Sequence, residues 1–199
     1  MILQIVTLKW EYFNISTRNS LSGARIMKKR ISKSNLQVKR DMYAALLKLM
    51  GEKPFSAISV SDITAEAGVS RMAFYRNYDT LEDILIEHIS RIMEIYQAEE
   101  TEQTVFYDKK YALHCFRFLY SQREFIDALI AAGMGDLFLA KITEYLIRKW
   151  VDPGSGTGKE ILSLSAYAGS IYNMYRMWSK TGFAELSEEI AEILCNSRK

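Results

Sequence analysis

Several residue types that mark particular protein classes are scarce in this sequence. Its 199 residues include two cysteines, Cys115 and Cys195, too few and too far apart for a disulfide framework, so we expect two buried thiols. Two prolines and ten glycines leave few interruptions for long helices. No apolar run reaches the roughly 18–20 residues that a membrane helix needs, and the opening MILQIVTL lacks the basic region and cleavage site of a signal peptide. We therefore expect a cytoplasmic protein.

Patterns that carry catalysis or bind metals are also missing from the sequence. Its two histidines, His88 and His114, are 26 positions apart, and no G-x-S-x-G, H-E-x-x-H or phosphate-loop pattern is present. His114 beside Cys115 does not supply the ligand set that a structural metal site requires. We therefore expect the chain not to be an enzyme and to hold no cofactor or metal.

The charge of the chain is unevenly distributed along its length. Residues 28–78 contain ten Lys and Arg against four Asp and Glu, a net charge of +6. Residues 79–199 contain thirteen against nineteen, a net charge of −6, and residues 1–27 contribute the remaining +2. A basic segment on an acidic remainder indicates that one part of the chain contacts nucleic acid.

Two short helix signatures separated by a tight turn lie within the basic segment. Ser59 precedes apolar residues at helical spacing, with Asp62 in the first turn, which is typical of a helix N-terminus. Gly68 ends that run, and Ser70 is placed to cap a second helix, residues 71–77. Two short helices joined by a glycine-containing turn predict a helix-turn-helix, whose second helix enters the major groove of DNA.

The same residues carry a family resemblance. The run ISVSDITAEAGVSRMAFYRNYDTLEDIL, residues 58–85, resembles the DNA-binding domain of the tetracycline-repressor (TetR/AcrR) family. The resemblance covers roughly residues 34–95 and is only architectural beyond them. It implies an all-α fold with a three-helix N-terminal head and a C-terminal helical domain, about nine helices in total by their periodicity. It also implies a homodimeric regulator that binds a palindromic operator, a repressor that a small apolar effector releases.

These patterns predict three segments. Residues 1–31 have no clear periodicity, and we expect Met27 to be the natural start, which would make residues 1–26 non-native. Residues 32–80 are predicted to form the DNA-binding domain. Residues 81–199 are predicted to form the effector-binding and dimerisation domain.

Apolar periodicity predicts where the helices lie. A first helix is capped by Ser34 or Asn35 and ends at Gly51, and a fourth, residues 80–96, links the two domains. The acidic residues 99–102 read as a linker and the glycine-rich residues 153–158 as a loop. The other predicted helices are residues 107–120, 123–131, 135–150, 159–181 and 187–196.

The predicted DNA contacts lie on the two short helices and near the start of the first. We expect Arg71 to contact a guanine, Met72 a thymine methyl, and Arg76 a base or a phosphate. Phe74 is predicted to lie in the core, and Leu81 stands where the family often carries a phosphate-binding lysine. The complete set is Lys39, Ser59, Ser61, Ser70, Arg71, Met72, Tyr75, Arg76 and Tyr78, in which Lys39, Ser70, Tyr75 and Tyr78 are phosphate contacts.

The helix at residues 159–181 is apolar on more than one side, so part of it meets either the chain's own core or a second subunit. The resemblance favours a four-helix bundle between two subunits. The residues predicted for this interface are Ile161, Ala168, Gly169, Tyr172, Tyr175, Ile190, Ile193 and Leu194.

Aromatic residues are concentrated in the C-terminal part, where they form either a ligand pocket or simply a core. The predicted pocket residues are Phe118, Phe125, Leu129, Met134, Phe138, Tyr145 and Tyr172. Two other functions remain open: a regulator whose body binds a protein partner, and an all-helical enzyme or carrier that retains only the head.

Overall fold

The computed structural model describes residues 33–99, 108–152, 154 and 156–196. These residues form nine α-helices and one 3₁₀ turn, Phe55–Ala57, and contain no strand, which confirms the predicted all-α fold. The helices are α1 (Lys33–Met50), α2 (Val60–Glu66), α3 (Arg71–Asn77), α4 (Leu81–Glu99), α5 (Lys109–Ser121), α6 (Arg123–Ala131), α7 (Gly135–Trp150), α8 (Gly158–Lys180) and α9 (Ser187–Asn196).

The helix bounds agree closely with the periodicity. Helices α3, α6, α7 and α9 begin and end where the sequence predicts, while α4 continues to Glu99 and α5 begins at Lys109 rather than at residue 107. The proposed start at Met27, residues 100–102 of the predicted linker, and Pro153 and Ser155 of the predicted loop lie outside the described residues.

Side-chain caps fix the start of the two longest helices. The Thr80 hydroxyl accepts a hydrogen bond from the Asp83 backbone amide, and the Asp83 carboxylate accepts one from the Thr80 amide at 2.7 Å. Thr157 and Glu160 make the same reciprocal pair at the start of α8. Each pair satisfies amides that the first helical turn leaves without partners, so these helices begin at defined residues.

Helices α1 to α3, together with the 3₁₀ turn, form a small unit that we call the head (residues 33–80). Helix α1 packs against α2 and α3, and its side chains Met42 and Leu46 share a buried apolar cluster with Ile63 and Phe74. All four side chains are fully buried, so α1, α2 and α3 share one apolar core.

Helices α4 to α9 form the remainder, which we call the body (residues 81–196). Helix α8 packs against α7, and α9 packs along α5, where Lys109 and Glu192 form an ion pair at 2.8 Å and Arg117 pairs with Glu188. The buried side chains of head and body form one continuous apolar cluster. None of the described helices is long and apolar enough to cross a membrane.

Candidate nucleic-acid interface

The turn between α2 and α3 depends on one glycine. Gly68 has a φ of +63°, a left-handed conformation that glycine adopts without steric cost. The Val69 amide donates to the Thr64 carbonyl at 3.0 Å, and the Gly68 amide donates to that of Ala65 at 3.3 Å. These two bonds form a Schellman motif, which ends α2 and directs the chain into α3.

Serines begin both short helices, as their positions predict. Ser59 and Asp62 form a capping box at α2, and Ser70 accepts a hydrogen bond from the Ala73 amide at α3. Hydrogen bonds from Lys53 and Ser59 lower the pKa of Asp62 to about 2. The carboxylate is therefore charged at neutral pH and suits the positive end of the helix dipole.

Helix α3 presents its recognition side chains to solvent. Met72 is 72% exposed and Tyr75 is 53% exposed, large values for an apolar and an aromatic residue. Arg71 and Arg76 are also exposed, while Phe74 is fully buried and meets Tyr75 edge-to-face at 5.2 Å between ring centroids. Phe74 therefore anchors the helix in the core, as predicted, and Tyr75 projects from that anchor.

Ion pairs separate the basic side chains of the head into two groups. Lys39 pairs with Glu87 at 2.6 Å, Lys48 with Glu66 at 2.7 Å, and Lys53 with Asp62 at 2.9 Å. Arg71 and Arg76 are in no ion pair or side-chain hydrogen bond with any described residue. The free cationic groups are therefore concentrated on α3.

Lys39 and Tyr78 differ from the other predicted DNA contacts, because Lys39 is only partly exposed and Tyr78 is buried. The side chain of Lys39 is only 17% exposed, and its ammonium lies 5.0 Å from the centroid of the Tyr78 ring. Tyr78 is buried, and its burial beside Glu87 raises the pKa of its hydroxyl. We therefore remove both residues from the candidate interface. The remaining seven are exposed: Ser59, Ser61, Ser70, Arg71, Met72, Tyr75 and Arg76.

Leu81 is partly buried and packs on the core. Where the related domains often present a lysine, this chain therefore has a packing residue at the start of α4.

A family model for bacterial regulatory proteins of the tetR family matches residues 43–87, which span the helix-turn-helix and its approach to α4. Residues 43–87 therefore carry a domain of the tetR family. This match supports a transcriptional regulator with an N-terminal DNA-binding head.

Solved structures of similar chain length share the fold. Lin0861 from Listeria innocua superposes with a TM-score of 0.72 at 13% identity, over 89% of this chain and 94% of that one. A TetR transcriptional regulator from Streptococcus agalactiae 2603V gives a TM-score of 0.59 at 17% identity, over 83% and 95% of the two chains. The fatty acid degradation regulator FadR from Bacillus halodurans gives 0.50 at 15% identity, over 84% and 95%. No curated protein sequence matches the chain.

The residues predicted for the dimer interface fall into two groups. Five of them lie in the core of the single chain: Ala168, Tyr172, Tyr175, Ile190 and Leu194. Side chains buried within one chain offer no surface to a second, so we remove them from the candidate face. Ile161 and Ile193 are exposed, and Gly169 is partly exposed with open space around it.

The predicted effector residues are core residues. Six of the seven are buried, and Met134 is partly buried against the same cluster. Phe118 and Tyr145 both pack on Tyr96, with ring centroids at 5.1 and 5.8 Å. Phe125 instead packs on His88 at 4.5 Å, beside the head. Phe118 and Tyr145 thus lie in a different aromatic cluster from Phe125, and the role of all seven residues towards a ligand stays a prediction.

Sequence reasoning missed two features. The first is an exposed stripe along α8, formed by Leu162, Ala166, Asn173 and Met177, whose spacing of about one helical turn is visible in the sequence. The second is a contact of His88 with Tyr43, 45 positions away. No local pattern signals that contact.

Proposed function

We propose that the chain is a sequence-specific DNA-binding repressor, which acts on chromosomal DNA in the cytoplasm. The observation that carries the proposal is the surface of α3, where two arginines without an ion-pair partner in the described part of the chain flank the exposed side chains of Met72 and Tyr75. Three lysines of the head, Lys39, Lys48 and Lys53, instead form ion pairs with carboxylates of the same chain. A short helix with free guanidinium groups suits the major groove of DNA.

The exposed residues divide by chemistry into base and phosphate contacts. Arg71 lies in the first turn of α3, and its planar guanidinium group can donate two hydrogen bonds to the O6 and N7 atoms of a guanine. The Met72 side chain suits contact with a thymine methyl group. Ser59, Ser70 and Tyr75 carry hydroxyl groups that donate to phosphates and fix the register of the head. Specificity therefore depends mainly on Arg71, with Arg76 as a second cationic contact.

The proposal is tested by the affinity of the chain for duplexes that it selects from a random-sequence pool. Arg71→Ala is expected to weaken the selected duplex about 5- to 100-fold, while affinity for random duplex changes much less. Affinity should also fall steeply with salt as counterions are released. The matched control is Arg148→Ala, which removes an exposed arginine from α7 of the body and is expected to leave binding unchanged. Equal affinity of the wild-type chain for selected and random duplexes at physiological salt would refute the proposal.

We also propose that two chains pair through α8. One face of α8 is buried in the chain, and the opposite face carries Leu162 and Met177, 72% and 60% exposed, at its two ends. Between them lie Ala166, the residues 169–170 and Asn173. The Ser170 hydroxyl on this face already donates to the Ala166 carbonyl at 2.9 Å, so it stays bonded when the face is covered.

The exposed stripe is symmetric about its own centre, which suits pairing with a second copy. An antiparallel pair of α8 helices with the twofold axis between Gly169 and Ser170 places Leu162 against Met177 and Ala166 against Asn173 of the other chain. Gly169 lets the two backbones approach closely, because a side chain there would meet nothing within 4 Å in its own chain. Dimerisation places two α3 helices on the two halves of a palindrome.

Release by a small effector completes the proposed mechanism. The aromatic cluster around Tyr96 is the best-supported position, since His114, Phe118 and Tyr145 all pack on that ring near the end of α4. Helix α4 extends from this cluster to the head. A ligand there releases the operator only if it binds the two arrangements of the heads with different affinities.

A further inference from the structure

Three aromatic rings from three helices meet where the head joins the body. Tyr43 of α1 stacks on His88 of α4, with centroids 4.0 Å apart and planes 22° apart. Phe125, in the first turn of α6, meets the His88 ring edge-to-face at 4.5 Å and lies 6.2 Å from the Tyr43 ring. His88 is therefore the central ring, in contact with the head on one side and the body on the other.

A hydrogen bond also joins the two stacked side chains, Tyr43 and His88. The Tyr43 hydroxyl and His88 Nε2 are 2.7 Å apart, and one proton lies between them in either tautomer of the imidazole. The other ring nitrogen, Nδ1, is buried and has no hydrogen-bond partner among the described residues. Tyr43 is thus the sole hydrogen-bond partner that the described chain offers to this imidazole.

Two further polar contacts join the head to the body. One turn before Tyr43, Lys39 pairs with Glu87, which also accepts from Arg91 at 3.3 Å. On the far side of the head, the Phe55 amide donates to the Ala132 carbonyl at 3.1 Å, just after the end of α6. Stacked rings slide over one another at little cost, whereas a short hydrogen bond tolerates only a narrow range of angles.

We propose that His88 is a positioning residue, whose hydrogen bond to Tyr43 fixes the angle of the DNA-binding head on α4 and α6. Because Met42 and Leu46 bind α1 to the core of the head, a rotation of α1 at Tyr43 displaces α3 as well. In a dimer, the two junctions together set the spacing of the two α3 helices. The effect on DNA rests on the proposed function, whereas the effect on head angle does not.

The test removes the hydrogen bond and retains the rings. Tyr43→Phe is expected to weaken binding to the selected duplex about three- to tenfold, the usual equivalent of one neutral hydrogen bond, although Tyr43 lies outside the candidate interface.

A distance measurement reports the head angle directly. Spin labels are attached at Glu52→Cys in the head and Arg148→Cys in the body, in a background with Cys115→Ser and Cys195→Ser. Labelled chains are diluted with unlabelled ones. A broader distance distribution in Tyr43→Phe is expected, and it is measurable whether or not the wild-type chain binds DNA.

A second variant separates positioning from stability. Tyr43→Phe leaves the His88 imidazole without a partner, and adding His88→Phe removes that buried polar group, so thermal stability should recover. The double variant should keep the broad distance distribution and the weaker DNA binding, because the directional bond is still missing. The matched control is Tyr175→Phe, which removes a buried hydroxyl that donates to Asp127 at 3.0 Å within the body and should change neither readout.

Two results would overturn the inference. A distance distribution in Tyr43→Phe as narrow as that of the wild-type chain shows that the bond does not fix the angle. Recovery of DNA affinity and of the narrow distribution in the double variant, together with stability, shows that the bond is merely structural. A wild-type chain that fails to discriminate between duplexes overturns the proposed function instead, and the distance measurement still decides the role of His88.

Discussion

Lys39 and Arg71 are both cations of the head, and their surroundings give them opposite roles. Lys39 lies between the Glu87 carboxylate and the Tyr78 ring, so its positive charge is balanced by a carboxylate of the same chain. Arg71 has no such neighbour among the residues that the structure describes, which suits its proposed contact with DNA. Glu87 is 48 positions from Lys39, so helical periodicity alone cannot tell these two basic residues apart.

His88 gives the stability of the chain a specific pH dependence. Burial, assisted by the charge of Arg91, lowers the pKa of His88 from 6.5 to about 3. In the unfolded chain the His88 imidazole binds a proton near pH 6.5, whereas in the folded chain it binds one only near pH 3. The free energy of unfolding therefore falls as the pH decreases through that window, by at most about 1.4 kcal/mol per pH unit, and this group contributes no slope above it.

Urea unfolding at about pH 7 and about pH 5 measures this slope. The interval is chosen because carboxylates with lowered pKa values, such as Asp83 and Glu188, contribute at more acidic pH. His88→Phe is expected to remove most of the difference between the two conditions. The same difference in both proteins would contradict the assignment to His88.

At the scale of elements, α8 shows how one helix serves two surfaces. Its buried face consists of Leu164, Tyr167, Ala168, Ile171, Tyr172, Tyr175 and Trp178. The opposite face carries the exposed stripe. Several positions predicted for the dimer belong to the buried face, because both faces contain apolar residues at the same helical period. Periodicity shows that both stripes exist, and only packing shows which one faces solvent.

The start of α8 depends on its capping box. Thr157→Ala removes the acceptor of the Glu160 amide and is expected to lower the free energy of unfolding by about 1 kcal/mol. Hydrogen exchange should rise in the first turn of α8 and stay unchanged at Trp178, near its other end. Thr157→Ser retains the hydroxyl and serves as the control. An equal loss in both variants would show that the methyl group, and not the cap, stabilises this turn.

At the scale of the whole molecule, the proposed dimer has a register that cross-linking can test. In a background with Cys115→Ser and Cys195→Ser, Ser170→Cys lies beside the twofold axis and should cross-link to itself through a short bis-maleimide. Leu162→Cys should not, because the two copies lie about 22 Å apart along the helix axis. Mixed Leu162→Cys and Met177→Cys chains should cross-link to each other. Efficient self-cross-linking of Leu162→Cys would indicate a parallel or shifted pairing.

The sequence by itself determined the local structure of this protein. Caps at Ser59, Ser70 and Thr157, the turn at Gly68 and the helical periods all act within a few residues, so the helix-turn-helix and the all-α fold are readable from the chain. The tertiary structure decided which side chains remain exposed and which are paired or buried within the chain. It paired Lys39 with Glu87 and Tyr43 with His88, 48 and 45 positions away, and it buried one stripe of α8 while exposing the other. Such pairings depend on how helices pack, and residues distant in sequence carry no local signal of that packing.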